Sequence, residues 1–348
     1  MDNKYLELLK SLIAVPSFSR EEEAAADILE DWMKSQGIPV NRLGNNLWTA
    51  SEKPGDKPTM LLNAHLDTVK PSAGYTRDPF TPVLEDGKLY GLGSNDDGGS
   101  LIALLAAYLE LIKKPQPYRL VFSATAEEEV SGRGGLDMLL PELGKIDLGI
   151  IGEPTGMEMA VAERGLMVLD CVSLGKSGHA ARDEGRNAIY EALGDLEWFQ
   201  NYRFEKRSEF LGQVKMSVTQ INAGTQHNVI PDKCTFVVDV RPNGMYTNLE
   251  VLQIIKNAVK CQVKERSTRI NSSCIDPEHP VVRRGKELGL GTFGSPTTSN
   301  QALVSFPTVK IGPGDSARSH SADEYIMPSE IEEGLDIYLR LLDGLKID

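Results

Sequence analysis

Apolar residues Tyr5, Leu8, Leu9, Leu12 and Ile13 recur at the spacing of one helix face, and Ala24, Ile28, Leu29, Trp32 and Met33 repeat it, with Gly37 placed to end the second helix. The chain therefore opens with two amphipathic helices. Short apolar runs at 46–49, 59–64, 118–124 and 147–152 read as strands, separated by helical stretches at 100–113 and 136–140. Strands alternating with helices predict an α/β sheet covered on both faces.

From about Gly165 the pattern changes to strand 166–174, helix 186–202, strands 214–222 and 234–241, helix 248–260 and a last strand near 267–274. That is the order of a small α+β sandwich. After Asp276-Pro277 helical and strand patterns resume and close with a helix over 328–345, whose Ile331, Leu335, Tyr338, Leu339 and Leu342 share one face. The expected organisation is a first domain of 1–164 and 277–348 interrupted by an inserted domain of 165–276.

The length of 348 residues agrees with about two domains. With 37 Lys and Arg against 50 Asp and Glu, the net charge of -13 repels phosphate backbones and anionic membranes, so a nucleic-acid partner is not expected. The longest apolar stretch, 101–109, is far short of the roughly 18 residues a membrane span needs, and the N-terminus lacks the features of a signal peptide. A cytoplasmic protein is the expectation. Four cysteines, Cys171, Cys234, Cys261 and Cys274, show no C-x-x-C spacing and read as reduced, buried thiols.

The candidate chemistry lies at the strand ends. His65 and Asp67 stand two apart at the end of an apolar strand, on one face, so Asp67 can hold the far ring nitrogen of a metal-bound His65. Taken alone, the pair reads more readily as a hydrogen-bonded strand end than as part of a metal site. The loop Gly91-Leu92-Gly93-Ser94-Asn95-Asp96 has a carboxylate where a dinucleotide fingerprint requires glycine, which excludes a pyrophosphate site. Gly175-Lys176-Ser177 lacks the rest of a P-loop, and Gly314-Asp315-Ser316 lacks an identifiable base for a serine nucleophile. Glu127-Glu128-Glu129 follows a further strand, Glu153 follows the next, and Gly312-Pro313-Gly314 leads to His320 and Asp323-Glu324. Together His65, Asp96, Glu129, Glu153 and His320 make a ligand set for two borderline divalent ions sharing one carboxylate.

These segments, with the opening Leu12-Ile13-Ala14-Val15-Pro16-Ser17-Phe18-Ser19, resemble the dinuclear zinc aminoacylase and carboxypeptidase family over nearly the whole chain. Acetylornithine deacetylase and succinyl-diaminopimelate desuccinylase are its nearest branch. The resemblance implies a zinc-exopeptidase-like α/β catalytic domain with an inserted α+β lid and dimerisation domain, two Zn2+ ions (Co2+ or Mn2+ as substitutes) and a homodimer. It implies that Asp96 bridges the ions, that His65 and Glu153 complete one site and Glu129 and His320 the other, and that Glu128 is the general base. A water between two such ions loses its proton near neutral pH, and a neighbouring carboxylate takes that proton and passes it to the leaving amine. A cis peptide after Asp96 is implied as well.

In the inserted domain, Ser177-Gly178-His179-Ala180-Ala181 resembles the family's Gly-His motif, which makes His179 the oxyanion stabiliser, often reaching in from the partner subunit. Asn228 and Arg241 resemble the substrate-carboxylate region, where an Arg fork suits a carboxylate, and Thr298 stands in the substrate loop. Two positions depart from the pattern: Asn300 stands where relatives commonly have Asp, and Glu127 replaces a common Asp.

The activity expected is hydrolysis of the amide of an N-acylated amino acid, first N-acetylornithine in arginine biosynthesis. Alternatives are desuccinylation of N-succinylornithine or N-succinyl-diaminopimelate, and dipeptide cleavage. A catalytically silent amino-acid-binding relative is the alternative outside enzymes, and retention of five ligands with Glu128 argues against it.

Overall fold

The computed structural model describes residues 2–53, 55–182 and 184–347. The chain packs as two compact units, one of Met1–Val161, Ile275–Phe293 and Ser299–Asp348, the other of Ala162–Cys274 and Gly294–Thr298. The short segment Gly294–Thr298, expected with the first domain, belongs to the second unit. Arg164 N–H donates to the Ser295 carbonyl at 3.2 Å, and a Cβ at Gly294 would meet the Phe210 carbonyl at 2.4 Å.

In the first unit the sheet runs Asn41–Leu43, Asn46–Ala50, Arg119–Thr125, Thr59–His65, Leu148–Ile151 and Thr308–Lys310. The last four strands are parallel, with His65 opposite Thr125 and both Asn63 and Lys310 opposite Ile151, so their C-terminal ends meet at one edge. Thr59–His65 and Arg119–Thr125 are buried at every position. That explains apolar runs without alternation: such strands are covered on both faces. The helix Gly99–Leu111 is buried nearly all round, lying against the sheet and the helix Pro328–Leu342. Tyr5, Leu8, Leu9, Leu12 and Ile13 form the buried face of Asn3–Ile13, as their spacing predicts.

The second unit is an antiparallel sheet in the order Lys215–Ala223, Lys233–Arg241, Met167–Leu174, Gln262–Glu265, with helices Ala188–Asn201 and Asn248–Ala258. Met167, Leu169 and Cys171 alternate inward and meet Phe236, Val238, Phe199, Val251 and Ile255 in its core.

Several expectations need correction. The fourth strand of the inserted unit's sheet is Gln262–Glu265, and of the expected strand near 267–274 only Ser273–Cys274 forms, pairing with Ala162 and Glu163. The single apolar residue of Gln262–Glu265, Val263, packs on the core while Gln262, Lys264 and Glu265 mask the pattern. The second helix, Glu23–Ser35, buries Ala25, Ala26, Leu29 and Met33, leaving Ala24 exposed and Ile28 and Trp32 half-buried. The final helix stops at Leu342, before Gly344 at φ +63°. Cys171 and Cys234 are buried free thiols, but Cys274 is exposed. A hairpin of Val83–Glu85 and Lys88–Tyr90, extended by Tyr325–Ile326, was not legible, its strands being too short for periodicity. Among the described residues no helix is long and apolar enough to cross a membrane.

Candidate metal centre

His65 ends its strand, 3% exposed, with its ring between two aspartates. Nε2 lies 3.1 Å from Asp96 Oδ1, and Nδ1 lies 2.8 Å from the main-chain carbonyl of Asp67. The Asp67 carboxylate is further from Nδ1, at 3.5 Å. Both Asp67 groups flank the far ring nitrogen, the carbonyl being the nearer. The Asp67 carboxylate also accepts the Ser19 hydroxyl at 2.7 Å and the main-chain N–H groups of Glu128 and Glu129 at 2.9 and 3.0 Å. Asp67 thus fixes the acidic loop that follows the neighbouring strand.

Asp96 sits in a tight turn, Ser94–Gly98, between Tyr90 and the helix Gly99–Leu111, and the Asp96–Asp97 peptide is cis. The two aspartates divide the work on His65: Asp96 faces the ring, and Asp97 Oδ2 accepts its main-chain N–H at 3.2 Å. The glycines around this turn are required by contact. A Cβ at Gly98 would come 2.4 Å from the Gly93 carbonyl, and one at Gly99 would come 2.2 Å from Ile326 Cδ1.

Glu127, Glu128 and Glu129 follow Arg119–Thr125, and Glu153 follows Leu148–Ile151. Donor atoms of His65, Asp96 and Glu129 lie within 4.8 Å of one another, and so do those of His65, Glu128 and Glu153. His320 Nε2 is 3.0 and 3.1 Å from the two Glu129 oxygens and 3.8 Å from Asp96 Oδ2. The Asp96 carboxylate therefore faces His65 with one oxygen and His320 with the other.

Electrostatics follow from burial and crowding. Burial, with Glu129, Asp67 and Asp96 nearby, pushes Glu128 well above the usual carboxyl range, although His65 opposes the shift. Glu153 is raised by burial and by Glu128 and Asp96, and Asp97 is raised by burial to about 7. Burial alone would lower the His65 ring, but hydrogen bonds with Asp67 and Asp96 hold it well above an ordinary histidine. His320 is raised to about 9, first by its hydrogen bond with Glu129. Carboxylates this close repel unless a cation lies between them. Imidazole and carboxylate donors are those that borderline divalent ions take. The residues present fit two such ions.

The positions that depart from the family pattern have local explanations. Glu127, at φ +56°, points away from this cluster: its carboxylate accepts the Gly134 N–H at 3.2 Å, and a Cβ at Gly132 or Gly134 would fall 1.8 or 2.3 Å from it. Asn300 is buried and donates to Asn63 Oδ1 at 3.0 Å and Thr125 Oγ1 at 3.1 Å, beneath the strand ends. A carboxylate could not donate either bond.

In the second unit His179 is exposed on a two-residue strand paired with Val229–Ile230. Its Nδ1 accepts the Ala181 N–H at 3.1 Å, and the Asn228 carbonyl accepts the Ala180 N–H at 3.0 Å, so His179 and Asn228 are neighbours. Arg241 pairs with Asp239 at both Nε (2.7 Å) and Nη2 (3.0 Å), while Nη1 lies 3.4 Å from Thr298 Oγ1. A substrate carboxylate would meet Arg241 only on the face that Asp239 leaves.

Glu22 and Glu324 are among the buried carboxylates to which the sequence assigned no role. Glu22, 1% exposed, accepts the Glu127 N–H at 3.1 Å and Asn45 Nδ2 at 2.9 Å. Glu324 accepts main-chain N–H groups of the Asp96 turn. The only signal for Glu324 was its place shortly after His320; Glu22 had none.

Solved structures share this architecture. A tripeptidase from Staphylococcus aureus is 20% identical, with a TM-score of 0.78 over 99% of this chain and 98% of its own. An aminopeptidase from Bacillus cereus is 19% identical, with a TM-score of 0.79 over 98% of each chain. A metallo-carboxypeptidase from Sulfolobus solfataricus is 17% identical, with a TM-score of 0.73 over 99% of each. At such identities the likeness is one of fold. The profile of Peptidase family M20/M25/M40 matches residues 61–344, from the strand bearing His65 to the end of the last helix. The chain belongs to peptidase family M20/M25/M40, a family of metallopeptidase hydrolases.

Proposed function

We propose that the chain hydrolyses the amide of an N-acylated amino acid, N-acetylornithine first, in the cytoplasm and within arginine biosynthesis. The observation that carries the hydrolytic reading is the placement of Asp96 between His65 and His320, with Glu128, Glu129 and Glu153 alongside. In this reading Asp96 would be the ligand common to two zinc ions, His65 and Glu153 would help hold one, and Glu129 and His320 the other. When bound, the pair supplies Lewis-acid polarisation of the scissile carbonyl and acidifies a water.

Glu128 takes the proton of the attacking water and delivers it to the leaving nitrogen. Burial raises its proton affinity above that of an ordinary carboxyl, the direction that favours taking up a proton. The hydrogen bonds from Glu128 N–H and Glu129 N–H to Asp67 hold base and ligand side by side. His179 stabilises the developing oxyanion, and Asn228, Arg241 and Thr298 hold the substrate carboxylate. Two copies pair through the inserted unit. Support comes from its sheet edge at Lys215–Ala223 and from Tyr190, Leu193 and Ile221, which are 71%, 54% and 52% exposed.

Cleavage of a short peptide is the second reading, favoured by the tripeptidase and aminopeptidase of like fold. The test is a panel of N-acetylornithine, N-succinylornithine, N-succinyl-diaminopimelate, dipeptides and tripeptides given to zinc-loaded protein. N-Acetylornithine should show the highest kcat/KM. A higher value for a succinylated substrate overturns the acyl group, a higher value for peptides overturns the substrate class, and no turnover of any of them overturns the activity.

A further inference from the structure

Glu324 is 2% exposed, and its carboxylate is filled by main-chain donors from a single turn. Oε1 accepts the N–H groups of Asn95 and Asp96 at 2.8 and 2.9 Å, and Oε2 accepts that of Gly93 at 3.1 Å. The Glu324 carbonyl takes the Gly91 N–H at 3.0 Å, while Tyr325 and Ile326 pair with Tyr90 and Leu89. A second tie joins the same two segments: Asn95 Oδ1 accepts the Asp315 N–H at 3.0 Å, and Asn95 Nδ2 donates to the Asp315 carbonyl at 3.1 Å. Gly314 makes this tie possible, because a Cβ there would stand 2.4 Å from Asn95 Oδ1.

Three converging N–H groups need an acceptor with several lone pairs and no donor of its own, which is what a carboxylate offers. Burying a polar carboxyl group is costly without such donors, so packing alone gives no reason for glutamate here. Its consequence falls on Asp96, whose main-chain N–H is held while its two side-chain oxygens face His65 at 3.1 Å and His320 at 3.8 Å. Glu324 lies four residues beyond His320, so one loop carries both a candidate ligand and the carboxylate that orients the shared one.

We propose that Glu324 is a positioning residue that fixes the Asp96 turn and couples it to the His320 loop, so that the two ion sites assemble together. This rests on the reading of Asp96 as the shared ligand. A Gln at 324 keeps one carbonyl oxygen and sets its NH2 against an N–H of the turn, whereas an Asp keeps both carboxyl oxygens at shorter reach.

The test is cobalt(II) titration of the metal-free chain, read by visible absorption and by the magnetic coupling between two cobalt ions. The unsubstituted chain should bind two ions with a coupled spectrum. Glu324→Gln should weaken binding of the second ion about ten- to a hundredfold, and should change the coupled spectrum and lower kcat even at saturation, with KM little altered. Glu324→Asp should recover part of the coupling. Variants that fold and match the unsubstituted chain in affinity and spectrum overturn the proposal. Amide exchange on the unsubstituted, metal-free chain decides the matter independently of whether a variant folds: Gly93, Asn95 and Asp96 should exchange slowly, and fast exchange at all three overturns the proposal. Fewer than two cobalt ions on the unsubstituted chain would overturn the shared-ligand reading itself, an outcome separate from a null effect at Glu324.

Discussion

Replacing Asp67 by Asn removes one charge and one acceptor from the point where the acidic loop is anchored. The side chain is fully buried and has three direct donors: Ser19 Oγ at 2.7 Å, Glu128 N–H at 2.9 Å and Glu129 N–H at 3.0 Å. An Asn keeps one oxygen for them and turns an NH2 towards the rest. At least one charge-assisted bond is lost, about 1.5–3 kcal/mol, and a buried donor left facing another donor adds about 1–3 kcal/mol. One effect opposes this, because Asp67 is among the charges that press on Glu128, and removing it relieves repulsion. Bound cations would already neutralise that repulsion. The full loss, about 2.5–6 kcal/mol, should therefore appear in the metal-loaded chain and a smaller one in the metal-free chain. By linkage the difference between the two losses reads as weaker ion binding, each 1.4 kcal/mol of difference being about tenfold in affinity. Urea unfolding of both proteins, with a chelator and with saturating zinc, measures it. An Asp67→Asn chain as stable as the unsubstituted chain in zinc would refute the anchoring argument.

Glu128→Gln should retain two ions per chain by metal analysis while kcat falls at least about a hundredfold, since the amide cannot accept a proton; Glu129→Gln should instead lose occupancy of one ion. Removing metal should lower the melting temperature in calorimetry, because Asp96, Glu128, Glu129 and Glu153 are then left facing one another, and zinc at about 100 Kd should restore about 2.7 kcal/mol for each ion bound. Mixing inactive His179→Ala with inactive Glu128→Gln should return part of the activity through hybrid dimers. A fully active monomer in sedimentation at assay concentration would count against that pairing.

Local periodicity is enough to specify an element when one face of it is buried and the rest is polar. The face of Tyr5, Leu8, Leu9, Leu12 and Ile13 is legible for that reason, as are the all-apolar runs of Thr59–His65 and Arg119–Thr125, where both faces are covered. The types of the candidate ligands, and their place after successive strands, are likewise properties of the sequence. Gln262–Glu265 was misplaced because one apolar residue carries no period, and its strand exists through pairing with Met167–Leu174. Gly294–Thr298 joins the second unit through contacts with residues more than 50 positions earlier, which no local pattern encodes.

The same division runs through the site. Residue type and order say that His65, Asp96, Glu129, Glu153 and His320 can bind cations, but the distances among them depend on parallel strands ending in register. Which carboxylates hold protein N–H groups rather than ions is also decided in three dimensions. Asp67, read from sequence beside the His65 ring, also anchors the Glu128–Glu129 backbone, while Glu324, 228 positions from Asp96 along the chain, holds its N–H. A carboxylate's role depends on whether donors or other acceptors surround it. Sequence supplies the carboxylate, and only the folded chain supplies those neighbours.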